Sequence, residues 1–219
     1  MTNNLDTLAT ALYAATGDLL KQRPDLAPWR PAVGIPPQLT DAELVTLAMM
    51  QAMLGFTSEA RWLRYARAHL RHLFPYLPQQ PGYNKRLRKA ADLLRHVTRI
   101  LATSTSVWSD DVWIVDSTPV ECGRSRETVK RSDLAGWAEY GYCASHSRFF
   151  WGLRLHLICT LQGLPIAFAG HLNLEQHRGR TPRGVITRVL QRILALAAVI
   201  WHNDATGRDT LRSLTTYVH

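Results

Sequence analysis

Val112-Trp113-Ile114-Val115-Asp116-Ser117-Thr118-Pro119 is the stretch on which the fold turns. Four apolar residues, two of them valines, run straight into a carboxylate. A short apolar run ended by proline reads as a strand buried on both faces. Pro119 has no N–H for a ladder, so the strand should stop near Thr118. Asp116 then falls at the carboxyl end of a central strand. A carboxylate in that position needs a partner or a cation. The alternative is an Asp that caps the following turn together with Ser117 and Thr118. Taken alone, the octet supports both readings equally.

Its surroundings add detail. A polar, basic stretch follows from Glu121 to Arg131, and then Tyr140-Gly141-Tyr142-Cys143-Ala144-Ser145-His146-Ser147-Arg148. Two apolar runs, Phe149 to Leu161 and Leu164 to Ala169, flank Gln162-Gly163, the pattern of a hairpin with glycine in its turn. The order is a strand with a terminal Asp, a basic excursion, then a two-stranded hairpin. Asp116-Ser117-Thr118-Pro119-Val120, Tyr140-Gly141-Tyr142, Ser145 to Gly152 and Leu161-Gln162-Gly163-Leu164-Pro165 together resemble the DDE-type transposases of small bacterial insertion sequences, whose catalytic domain is RNase H-like. The resemblance implies metal-dependent phosphodiester cleavage and strand transfer, with Mg²⁺ held between three carboxylates. Asp116 matches the first of them, so the resemblance makes it both the catalytic and the metal-ligating residue. It further implies duplex DNA (the element ends) as partner, with a second copy or an intact transposase as a further one.

Composition fits that expectation. Twenty-six Lys and Arg stand against 17 acids, a formal charge of +9, and the sequence pI is about 9.9. Such a balance is the footprint of a nucleic-acid binder. No apolar run reaches the length of about 18 residues that a membrane span needs, and the first residues lack a signal pattern. The expected location is therefore cytosolic, and the resemblance implies the bacterial cytoplasm, associated with the nucleoid. Cys122, Cys143 and Cys159 are no disulfide framework. Cys143-x-x-His146 with His156-x-x-Cys159 has a zinc-like spacing, but His156 and Cys159, three apart on a strand, would point to opposite faces.

In chain order, Leu5 to Lys21 carries apolar residues at helical spacing, and five prolines between Pro24 and Pro37 make an extended linker. Thr40-Asp41-Ala42-Glu43 is a capping box opening a helix to about Leu54, ended by Gly55. Ser58 caps a second helix, Glu59 to about Arg71. The pair fits a helix-turn-helix unit. Arg61, Arg64, Arg67 and Arg71 share one helical face. Tyr83 to Thr103 reads as one long helix with Leu87, Ala90, Ala91, Leu94, Val97, Ile100 and Leu101 inward. Lys85, Arg86, Arg88 and Lys89 crowd its first turns, against the helix dipole, a placement that phosphate would relieve. From Arg61 to Arg99 there are ten basic residues and one acid, Asp92. Of these, Arg61, Arg64, Arg67, Arg71, Lys85, Arg86, Arg88 and Lys89 are the expected nucleic-acid contacts; the alternative for the arginine stripe is a solvated face beside the apolar one made by Trp62, Leu63, Tyr65 and Leu70.

At the far end, Asn173 to Thr181 is polar and basic, and Gly184 to Asn203 is a strongly apolar helix behind Pro182. Leu172 to Asn203 resembles the closing segment of the same transposases. Only Gly170 and His171 separate it from the third strand, where the family carries further strands, its second Asp and its final Glu. Glu175, Asp204 and Asp209 read as solvent-facing, and Glu121 and Glu139 could approach Asp116. The expected fold is α+β: a helical, DNA-binding region over residues 1–105, the first three strands of an RNase H-like domain over 106–170, and a helical segment over 171–219. The expected function is an insertion-sequence transposase made defective by an internal deletion. The competing reading is a non-catalytic DNA-binding remnant or an inhibitor of intact transposase.

Overall fold

Local sequence signals set the helices of the computed structural model, which describes residues 3–31, 33–109, 111–123, 126–143, 147–169, 181–210 and 217. In α1 (Asn3–Gln22), Leu5, Leu8, Ala9 and Leu12 are buried at helical spacing, and this stripe packs along α2 (Asp41–Met53). The capping box at its start forms as expected. Thr40 Oγ1 accepts from the Glu43 N–H at 3.1 Å, and Glu43 Oε2 accepts from the Thr40 N–H at 2.6 Å. Gly55, at φ +71°, ends the helix. Ser58 caps α3 (Glu59–His69), which buries Trp62, Leu63 and Ala66.

The single helix expected over Tyr83–Thr103 is two: α4 (Gln80–Lys89) and α5 (Ala91–Thr103). Pro81 sits in the first turn of α4 and starts it ahead of Tyr83. Ala90, at φ −83° and ψ 7°, breaks the path. Each piece then buries its own stripe: Tyr83 and Leu87 from α4, Leu93, Leu94, Val97 and Leu101 from α5. The break leaves Ile100, expected inward, 42% exposed.

After the short α6 (Arg126–Lys130), the last long helix, α7 (Pro182–Ala205), opens on Pro182. By length and composition it could cross a membrane, with a mean hydropathy of 1.6 over its most apolar window, but 67% of that window is buried within the protein, as in a core helix. Its Gln191 amide donates to Gln51 Oε1 at 3.1 Å and to the Ala48 carbonyl at 3.3 Å. Tyr83 Oη donates to the same Gln51 oxygen at 2.8 Å, and its complete burial holds the hydroxyl well above its ordinary pKa. Asp204, expected to face solvent, instead accepts from the Ser106 N–H at 3.0 Å and from the Ser106 hydroxyl. Residues Met1–Ser106 and Leu190–His219 form one compact unit and Val107–Val189 a second, so α7 contributes to both.

The second unit holds a four-stranded antiparallel sheet rather than the three strands expected: β1 (Trp113–Gly123), β2 (Glu139–Cys143), β3 (Arg148–Thr160) and β4 (Pro165–Ala169). β3 is central. β1 pairs along one side of it, and β2 and β4 share the other. The β3–β4 hairpin turns at Gly163, φ +81°, as expected. β2 was hidden in Tyr140-Gly141-Tyr142. Gly141 lies opposite Phe150, whose ring would stand 2.7 Å from any Cβ added there, so the aromatic covers a strand glycine. Gly152 has a similar reason. A Cβ there would meet the Val120 carbonyl oxygen at 1.9 Å, beside the bulge at Glu121/Gly123.

β1 departs most from expectation. Among the described residues it is an edge strand, and Val112, Trp113, Ile114 and Val115 are 49–66% exposed. Pro119 does not end it; the strand continues to Gly123, with Pro119 opposite Arg154. An edge strand tolerates proline where the missing N–H would point away from the ladder. The burial comes later, at Val120, Leu153 and Leu155.

Candidate nucleic-acid interface and carboxylate site

The eight expected cations divide by what holds them. On α3, Arg61 and Arg64 are exposed, and Arg71 lies exposed just beyond its end, and none of the three guanidiniums has an ion pair or hydrogen bond among the described residues. Arg67 is different. It donates to the Pro78 carbonyl at 2.7 Å and to the Leu63 carbonyl at 3.5 Å, tying the turn after α3 back onto the helix. Arg86 also has a structural task. Its guanidinium, only 20% exposed, donates to Asp41 Oδ1 at 2.9 Å and to the Leu39 carbonyl. Arg30 pairs with the same Asp41 oxygen. Asp41 is 8% exposed, so the two guanidiniums satisfy a buried carboxylate at the start of α2.

Lys85, Arg88 and Lys89 are exposed. Because α4 ends at Lys89, Arg86, Arg88 and Lys89 stand in its last turn, not in the first turns of a long helix. Cations there complement the helix dipole. The expected dipole conflict does not exist, and phosphate is not needed to relieve it. Arg88 Nε also donates to the Asn84 carbonyl at 3.2 Å. Lys89 Nζ stands over the Trp29 indole, 5.4 Å from its centroid.

Trp29 and Arg30 did not stand out in the sequence, because the prolines around them read as linker, and Asp41 reads only as part of the capping box that opens α2. The structure makes them part of a cleft of about 350 Å³ whose walls include Lys85, Arg86 and Lys89. The one available signal was a tryptophan and an arginine set between Pro28 and Pro31, where a passive linker needs neither.

Asp116 lies on β1 opposite Leu157, not at the end of a buried central strand. It is exposed, and its Oδ1 accepts from the Ser117 N–H at 2.7 Å within the strand; no turn follows it to be capped, because β1 runs on to Gly123. Glu121 pairs with Gly152, and so does Glu139 from the other side. Directly paired residues share a face of the sheet, and an odd separation along a strand reverses it. Glu121 and Glu139 therefore lie on the face opposite to Asp116 and do not approach it. The diagonal neighbour of Asp116 is Cys159; partial burial and the Asp116 charge push its thiol pKa up. A protonated thiol beside one carboxylate does not suit Mg²⁺, which takes hard oxygen ligands. Among the described residues no group of three or more His, Cys, Asp or Glu side chains could hold a metal. For the zinc-like spacing, the register puts His156 opposite Ser117 and Cys159 opposite Ile114, on opposite faces. Ala144 to His146 and the segment 170–180, including Glu175, lie outside the described residues.

No protein-family model, curated protein or solved structure matches the chain.

Proposed function

We propose that the chain derives from a DDE-type insertion-sequence transposase and now acts as a DNA-binding protein of the bacterial cytoplasm, without strand transfer. The observation that carries the binding is the exposed set of Arg61, Arg64 and Arg71 along and just beyond α3. In this reading α2 and α3 form a helix-turn-helix-like pair, and the arginines meet phosphates of the duplex. Arg88, Lys85 and Lys89 extend the positive surface. Arg67 and Arg86 contribute charge while their guanidiniums hold the fold.

The transposase origin rests on the motifs around Asp116 and on the openness of β1. A continuous apolar run is the composition of a strand covered on both faces. Here Trp113 and Val115 face one side and Ile114 the other, and all three are about half exposed or more. That mismatch supports a sheet that has lost its neighbours, as an internal deletion near Gly170 would leave it. In the family Mg²⁺ would join Asp116; the residues around Asp116 here do not fit that ion, so no cleavage step is assigned. An inhibitor that titrates element ends, or pairs with intact transposase, is the role such a chain would keep.

The test is binding of a labelled duplex by fluorescence anisotropy over a range of salt. Each phosphate neutralised contributes about −0.9 to the log–log slope. Replacing Arg61, Arg64 and Arg71 together by Ala should weaken binding and flatten the slope by about 2–3, with unchanged helical signal. Binding that ignores salt, or a triple variant with the wild-type slope, overturns the reading.

A further inference from the structure

The strongest unassigned feature lies in the cleft beside Trp29. This indole is 75% exposed, in a chain segment that leaves Val33 and Ile35 still more exposed. The same unit buries Trp62 completely, so its core can take an indole, and the exposure of Trp29 is not a shortage of core. The cleft it borders holds about 350 Å³, the small end of the range for ligand sites. Four cations line it, Arg30, Lys85, Arg86 and Lys89, against one carboxylate, Asp41. Asp41 is committed to Arg30 and Arg86. Lys85 and Lys89 are left as the mobile-headed charges, and Lys89 rests its ammonium against the Trp29 ring.

A flat exposed aromatic with ammonium groups at its edge answers two features found together in one ligand, a planar base and its phosphate. Stacking on tryptophan is indifferent to base identity, and lysine binds phosphate as a point charge. A duplex keeps its bases stacked on one another, so only an unpaired nucleotide can offer its face. The volume suits one such residue and is too small for a duplex. We infer that this cleft binds a single unpaired nucleotide of DNA, its base on Trp29 and its phosphate on Lys85 and Lys89. Lys89 would exchange its cation–π contact for the phosphate. The inference deepens the DNA-binding reading above and rests on it. It adds that the bound DNA is preferred where an end is frayed or tailed.

The experiment compares three labelled probes on the full chain at one low salt concentration: a blunt duplex, the same duplex with a short single-stranded tail, and the tail strand alone. The tail should tighten binding about ten-fold relative to the blunt duplex, within what one to two stacked bases supply. Trp29→Ala should remove that advantage and leave the blunt-duplex affinity as it was; Trp29→Phe, which keeps an aromatic face, should retain most of it. A tail without effect on the wild-type protein, or an advantage that survives Trp29→Ala, overturns the inference while blunt-duplex binding leaves the proposed function standing. Binding of the tail strand with none of the blunt duplex overturns the proposed function alone. No binding of any probe overturns both.

Discussion

Arg86 and Arg64 show how two arginines of one basic segment do different physical work. Arg86 reaches Asp41, a carboxylate 8% exposed, and the Leu39 carbonyl, so its removal strands buried acceptors. Arg86→Ala should lower stability by about 2 kcal/mol, the range for hydrogen bonds to charged groups, seen as a fall of roughly 4–8 °C in Tm. Arg64→Ala, at an exposed site, should leave Tm within a degree or so and act only on DNA binding. Paired melts and binding curves check the split; a wild-type Tm for Arg86→Ala would return that residue to the phosphate-facing set. His202 gives a second expectation. It is 3% exposed, and Tyr217 Oη donates to Asn203 Oδ1, so the proton shared with His202 at 3.3 Å sits on Nδ1. Burial first, and Arg208 second, lower its pKa below the ordinary 6.5. Above that value both folded and unfolded chains are neutral there and the group adds no pH dependence. As pH falls through it, the unfolded chain takes up the proton first, so stability declines until the depressed folded value is reached. Urea melts across this window should show that decline, and His202→Gln should flatten it.

At the scale of elements, what could be read from the sequence was local and what could not was tertiary. The capping box at Thr40, the stop at Gly55 and the turn at Gly163 depend on neighbours within a few residues, and all three formed as read. The break at Ala90 depends on which stripes of α4 and α5 find a core, and no spacing within Tyr83–Thr103 encodes it. The same holds for β1: its apolar composition fits burial, but burial needs covering elements, and the described residues supply them only around Val120. Asp41 and Arg86 meet across a long stretch of chain, so neither looked structural in advance. β2 was legible in retrospect, through Gly141 set between Tyr140 and Tyr142, as β3 was through Gly152 beside Trp151. Gly152 shows why those glycines matter. An added Cβ would stand 1.9 Å from the Val120 oxygen, which is backbone and cannot swing aside. Gly152→Ala should therefore open the β1–β3 pairing, at about 3 kcal/mol, the upper end of overpacking costs. Amide exchange should speed up at Leu153 and Leu155 while α2 and α5 keep their protection. Gly163→Ala, in open space with φ +81°, is the milder control at about 1 kcal/mol. Unchanged exchange in Gly152→Ala would mean the strands pair in another register.

For the whole molecule, the question is whether the sheet of the second compact unit can support the phosphoryl transfer of the proposed ancestry. Two-metal phosphoryl transfer needs carboxylates converging from several elements. In the second unit Asp116 stands on one face of the sheet, while Glu121 and Glu139 flank Gly152 on the other. Asp116 and Glu121 share β1 at an odd separation, so no slip of that strand brings them to one face, and Glu139 would need a one-residue slip of β2 that also turns the buried Cys143 to the other face. The protein is therefore expected to bind element-end DNA and leave it intact in Mg²⁺ or Mn²⁺, with Asp116→Asn indistinguishable from wild type in both binding and cleavage. Asp116 is exposed and bonded only to the Ser117 amide among the described contacts, so the substitution should leave the fold in place. A thermal melt followed by the helical signal has to accompany the assay, because the exposed apolar run Trp113–Val115, on a strand at the edge of the described sheet, also invites aggregation that would mimic inactivity. Val115→Lys, a charge on that edge, should suppress concentration-dependent association without restoring cleavage. Metal-dependent nicking by the monomeric protein that disappears in Asp116→Asn would overturn this expectation and show that a carboxylate outside the described residues, such as Glu175, completes the site.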